Sequence, residues 1–130
     1  MNMPVRIPAV LDRAAFVELG GALSPDKLRE LAELFAAETD FYLIEIASRR
    51  AEGDLVSVAR LARNIVSIAG NLGAARASAL ARQLERSCRT GDKAKSYRLI
   101  SEMSQACRDA SVEMEALLGE DGERLQTAQG

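Results

Sequence analysis

The amino-acid sequence predicts an all-α fold: an antiparallel up-down four-helix bundle with a short additional N-terminal helix. Three observations carry this expectation. Aromatic residues make up only 4% of the chain and Trp is absent, while Ala and Leu are abundant. Unbranched side chains lose little rotamer freedom in a helix, so this bias favours helices. Apolar residues recur at steps of three and four along four long stretches. The stretches are separated by short glycine-containing breaks, and loops of that length join antiparallel neighbours. The 130 residues suit one domain, large enough for a core that needs no staples or metals.

The first helix is predicted from about Pro8 to Leu19, with Val10, Leu11, Ala15, Phe16 and Leu19 apolar, and Gly20-Gly21 as its exit. Ser24-Pro25 reads as an N-cap followed by proline at the first helical position, with Asp26 complementing the helix dipole. Leu28, Leu31, Phe35, Tyr42 and Ile46 then follow at helical spacing to about Arg50 or Ala51, with Leu34 and Leu43 on the flank. Gly53-Asp54 is a stop and a new cap.

The third helix places Leu55, Val58, Ala62, Ile65, Ala69 and Leu72 on one face, widened by Leu61 and Ile68, and breaks near Gly70–Gly73. The fourth begins about Ala74 and buries Ala77, Leu80, Ala81, Leu84 and Cys88. After the Thr90-Gly91-Asp92 stop and cap, the last helix carries Ser96, Ile100, Met103, Cys107, Ala110, Met114 and Leu117. Residues 1–118 read as a single domain and the polar residues 119–130 as a flexible tail.

Composition excludes several functions. No apolar run approaches the ~20 residues that span a bilayer, and Met1–Arg6 lacks the apolar region of a secretory signal. Cys88 and Cys107 fall on inward positions and read as reduced core thiols, which implies a cytoplasmic location. The chain contains no histidine, only two isolated cysteines and no glycine-rich phosphate loop, so no metal or cofactor is implied. Carboxylate pairs such as Glu30/Glu33 and Glu113/Glu115 read as solvated surface rather than general acid/base pairs.

The net charge of −2 hides a sharp asymmetry. Residues 57–98 hold nine basic side chains against only Glu85 and Asp92, a balance of +7, while residues 9–54 and 99–130 each carry −5. This segment lacks the interleaved aromatics that stack on bases, and the whole chain is acidic, so nucleic-acid binding is disfavoured.

The order of helices, with Ala62-Arg63-Asn64-Ile65-Val66-Ser67-Ile68-Ala69-Gly70-Asn71-Leu72-Gly73-Ala74 at its centre, resembles the histidine phosphotransfer (HPt) domain family. Gln83-Leu84-Glu85, Gly91-Asp92, Val10-Leu11-Asp12 and Leu34-Phe35 add to the likeness, which spans roughly Val10 to Leu118. The family's signature is Ala-His-x-Leu-Lys-Gly-Ser, leading to Leu-Gly-Ala. Laid on this sequence, the resemblance puts the phosphorylatable histidine at Arg63, the attendant lysine at Val66 and the following glycine at Ser67.

These departures remove the chemistry that the resemblance would otherwise imply. Phosphotransfer needs a nitrogen lone pair near neutral pH, which imidazole offers with its pKa of about 6.5. Arginine stays protonated to above about pH 12, and its delocalised guanidinium is a poor nucleophile. The reading is therefore a catalytically inactive HPt-like bundle, not an enzyme. Its outward face would comprise Val56, Ala59, Arg60, Arg63, Val66, Ser67 and Gly70. In HPt bundles this surface receives receiver domains with their acidic aspartate pocket, so the implied partner is a response-regulator receiver domain or a sensor histidine kinase. The alternative is a structural adaptor or homodimer that has left phosphorelay signalling.

Overall fold

The computed structural model describes residues 7–120, and the Met1–Arg6 start and most of the tail lie outside them. Five helices follow one another: α1 (Arg13–Ala22), α2 (Pro25–Ala51), α3 (Leu55–Asn71), α4 (Ala75–Arg89) and α5 (Lys93–Glu120). Helix α2 packs on α3, α3 on α4, α4 on α5 and α5 back on α2, which closes an up-down four-helix bundle. Arg50 near the end of α2 lies over the ring of Tyr97 near the start of α5, 4.1 Å from its centroid, as antiparallel neighbours require. The α1 helix sits against α2.

The three bundle loops, residues 52–54, 72–74 and 90–92, share one design. Each has a central glycine with positive φ, Gly53, Gly73 and Gly91, at 73°, 81° and 77°. In each, the residue after the glycine donates its N–H to a carbonyl five residues back: Asp54 to Arg49, Ala74 to Ala69, and Asp92 to Ser87. The glycine N–H closes the shorter inner ring, a Schellman exit that consumes the orphan carbonyls of the preceding helix.

Two of these loops then cap the next helix with an aspartate. Asp54 accepts from the Ser57 N–H at 3.1 Å and Asp92 from the Lys95 N–H at 3.1 Å. The middle loop has the buried Ala74 at this position and no side-chain cap. The N-terminal segment serves instead. Arg76 donates its backbone N–H to Ala9 O and its Nε–H to Pro8 O, at 2.9 and 3.0 Å. In return Asp12 N–H donates to Gly73 O at 2.8 Å.

That strap corrects the expected first helix. Pro8 to Leu11 stay outside the helix, bending at Val10 and Leu11, as partners of the α3–α4 turn, and α1 starts only after Asp12, whose carboxylate accepts from Ala15 N–H at 3.1 Å. Gly20 and Gly21 do not end the helix; it continues to Ala22, with Phe16 and Gly20 buried. Glycine costs about 1 kcal/mol in a helix interior, a cost that packing of Phe16 offsets here. Helix α5 likewise runs through Gly119 to Glu120, past the Leu118 boundary read from the sequence, and residues 121–130 lie outside the described residues.

The core is small-residue-rich between α3 and α4, with Ala62, Ala69, Ala77 and Ala81 fully buried, and larger elsewhere, with Phe16, Phe35, Leu28, Ile46, Met103 and Met114. Both cysteines are free and buried. Burial pushes the Cys107 thiol up to about 12, and raises Cys88 despite its hydrogen bond to Ser96. Neither is a nucleophile at neutral pH.

Candidate functional site

Helix α3 holds every residue of the predicted binding face. Asp54 caps its start, and Val58, Ala59, Ala62, Ile65 and Ala69 form its buried stripe. At about 100° per residue, that stripe is centred near Ala62 and Ala69. Arg60, Arg63, Ser67 and Gly70 are exposed on the sector that turns outward and toward α4, and Val56 is 69% exposed beside them.

Ala59 does not belong to this face. It is only 4% exposed, packed into the core. The sequence reading centred the core on Val58, Leu61 and Ile65, whereas the close approach of α4 through its alanines draws the buried stripe round toward Ala59. Leu61 is correspondingly only half-buried, and Val66 is half-buried too, packed on the edge of the core. Only the rim of Val66 contributes to the outward surface.

The α3–α4 seam is tied by a hydrogen bond from Ser78 Oγ to Val66 O at 2.9 Å. A Cβ on Gly70 would meet Ser78 Oγ at 3.4 Å, an ordinary contact that marks how near the two helices run there. The helices are antiparallel. Arg63 lies one turn back along α3 from this bond and Arg82 one turn forward along α4, so the two arginines flank the seam at the same level. Arg60 and Arg86 continue the series, and Gly70, Gly73, Ser78, Arg82 and Arg86 line one shallow groove beside it.

Arg60, Arg63, Arg82 and Arg86 are all exposed, and none is ion-paired among the described residues. By contrast Arg89 is held by Glu85 at 3.0 Å and Arg49 by Glu52 at 3.3 Å. The surface is therefore a set of uncompensated guanidinium groups around a small apolar and hydroxyl-bearing centre. Arg82 and Arg86 were absent from the face predicted on α3 alone. Their signal was in the sequence: an i, i+4 pair opposite the buried Ala77, Ala81, Leu84 and Cys88.

The arrangement concentrates positive charge on this face. Arg63 and Ser67 have no side-chain hydrogen-bond partner among the described residues, so nothing activates the Ser67 hydroxyl. Among the described residues no group of three His, Cys, Asp or Glu side chains is placed to hold a metal ion. No described helix is long and apolar enough to cross a membrane.

No curated protein and no solved structure matches the chain. A family model does: the Hpt domain, over residues 24–129, which takes in the whole of α2, α3, α4 and α5 and leaves α1 outside. The matched span covers most of the chain and coincides with the closed bundle. The chain therefore belongs to the Hpt domain family, whose helical bundles serve phosphorelay signalling.

Proposed function

We propose that this protein is an inactive HPt bundle that binds a response-regulator receiver domain or a sensor histidine kinase without carrying phosphate. The observation that carries the reading is Arg63, exposed at the motif's histidine position in a chain with no histidine at all. Val66 and Ser67 replace the lysine and glycine that the family motif places beside it, so the attendant positive charge is lost together with the nucleophile. What remains is an outward face with four arginines that are unpaired among the described residues. Such a face suits an acidic partner surface and speeds encounter with it.

Homodimerisation through this same face is opposed by its own charge. A two-fold axis would bring Arg60 and Arg63 against their symmetry mates. A role beside receiver domains carries a cytoplasmic location with it, and the protein is then a binding partner rather than an enzyme.

Titration calorimetry against the receiver domains and kinases of the source cell tests the reading. We expect binding to at least one, weakened on the order of tenfold by Arg63→Glu with Arg82→Glu, with the larger loss at low salt. No binding across the set sinks the proposal. Radiolabelled phosphate recovered on the wild-type chain after incubation with a phosphorylated receiver would overturn the inactive assignment.

A further inference from the structure

The outer face of α2 carries a second surface, far in character from the arginine seam. Leu34, Phe41 and Ile44 are 51%, 59% and 69% exposed, unusual values for large apolar side chains. Together with the exposed Ala37 and Ser48 they step by three, four, three and four residues along the helix. That is heptad spacing, sustained for two repeats on the side opposite the buried Leu28, Ala32, Phe35, Thr39 and Ile46. The small Ala37 and Ser48 leave gaps between the larger groups, and Phe41 is steadied edge-on against Tyr42 with ring centroids 5.6 Å apart. Scattered apolar residues need no explanation, but a contiguous stripe does.

The flanks of the stripe have one sign. Glu33 and Asp40 line one side and Glu38 and Glu45 the other, and none of the four is ion-paired among the described residues. The cations at the two ends of α2 are already engaged: Lys27 with Glu30, Arg29 with Asp26, Arg49 with Glu52, and Arg50 over the ring of Tyr97. In paired helices the residues beside the apolar seam select the partner by charge. Acidic flanks on both sides oppose a second copy of the same face and an anionic membrane surface alike, and they favour a cationic occupant.

We infer that the α2 stripe Leu34–Ala37–Phe41–Ile44–Ser48 is a docking seam for an amphipathic helix of a partner protein whose own apolar stripe is flanked by lysine or arginine. The seam is about two heptads long and the contact is of the small, transient class. It is independent of the arginine seam on α3 and α4. A protein with both faces can hold an acidic partner and a basic one at once.

Fluorescence anisotropy with labelled two-heptad peptides tests the seam on the full chain. One peptide has leucine at the seam positions and lysine at the flanks; the other replaces lysine with glutamate. We expect the lysine peptide to bind at least about tenfold more tightly. Ile44→Glu should weaken it by about tenfold, Phe41→Ser should do the same without adding charge, and Arg63→Glu should leave it unchanged. Unchanged or tighter binding to Ile44→Glu would mean simple charge attraction and overturn the proposal. So would light scattering that shows a dimer of the full chain dispersed by Ile44→Glu, since a second copy would then fill the seam. Circular dichroism of each variant confirms that these exposed substitutions leave the bundle folded.

Discussion

The two ends of the α3 motif behave in opposite ways. From Ala69 to Ala74 the chain is locked: Ala69, Leu72 and Ala74 are buried, Gly73 turns the backbone, and Asp12 closes on it from the N-terminal strap. From Arg63 to Ser67 the outward side chains touch little, and Ser78 holds only the backbone of Val66. The locked end holds Leu72-Gly73-Ala74, while the open turn presents the exposed Arg63 and Ser67 with Val66 at its edge. Residues held by packing and residues free of it thus lie on one helix and the turn that ends it. The side chains of Arg63 and Ser67 lie outside the buried stripe of Val58, Ala59, Ala62, Ile65 and Ala69.

The sharpest way to expose this contrast is to truncate one residue from each class on the same helix. Ile65 is fully buried between the neighbouring helices. Ile65→Ala should destabilise the protein by about 2–5 kcal/mol, through lost transfer free energy and the cavity left behind. Arg63→Ala, two residues away and exposed, should stay within about 0.5 kcal/mol. Urea denaturation followed by circular dichroism measures both. A comparable loss from Arg63→Ala would mean that the open turn has a structural role after all.

A smaller effect compares the three turns. All three central glycines have positive φ, a conformation that costs a residue with a Cβ about 1–2 kcal/mol. At Gly53 and Gly91 an added Cβ meets nothing within 4 Å, but at Gly73 it would come to 3.2 Å from Asp12 O. Gly73→Ala should therefore cost more than Gly91→Ala, and the excess should vanish when the N-terminal strap is removed by deleting residues 1–12. Equal losses at the two positions would show that the strap does not press on the turn.

Much of this architecture was legible because local chemistry and tertiary packing agree. Ser24-Pro25, Gly53-Asp54 and Gly91-Asp92 carry the stop and cap signals within a few residues, and α2, α3 and α5 begin where those signals lie. The first helix was misplaced because its start is decided by distant partners. Pro8 and Ala9 are drawn away from helix by Arg76, and no local pattern reveals a contact 68 residues apart. Ala59 was misjudged for a related reason: an alanine carries too weak a hydrophobic signal to locate the centre of a buried stripe. Arg82 and Arg86 became part of the candidate face only when α4 was laid antiparallel beside α3.

The smallest effect separates the capping aspartate of α3 from its charge. The Ser57 hydroxyl, 2.6 Å from the Asp54 carboxylate, and then the Ser57 N–H hold this group below the ordinary aspartate value of 3.8, with lesser help from Arg49 and Arg60. A carboxyl group whose folded-state pKa is depressed contributes stability that is fully present above its unfolded value and is lost as pH falls through the folded value. Asp54→Asn keeps a capping oxygen but has no charge to titrate. Wild type should accordingly be more stable than Asp54→Asn at neutral pH. Its advantage should persist down to about pH 3.8 and close below it, as Asp54 itself becomes neutral. Thermal melts of the two proteins at several pH values measure the gap. A gap that widened on acidification would have the wrong sign and would show that Ser57 stabilises the protonated form instead. The same series reaches the arginine seam, because Arg60 is one of the charges that Asp54 feels. Repeating it on Arg60→Ala should narrow the neutral-pH gap slightly, which would tie the base of the candidate face to the cap of the helix that presents it.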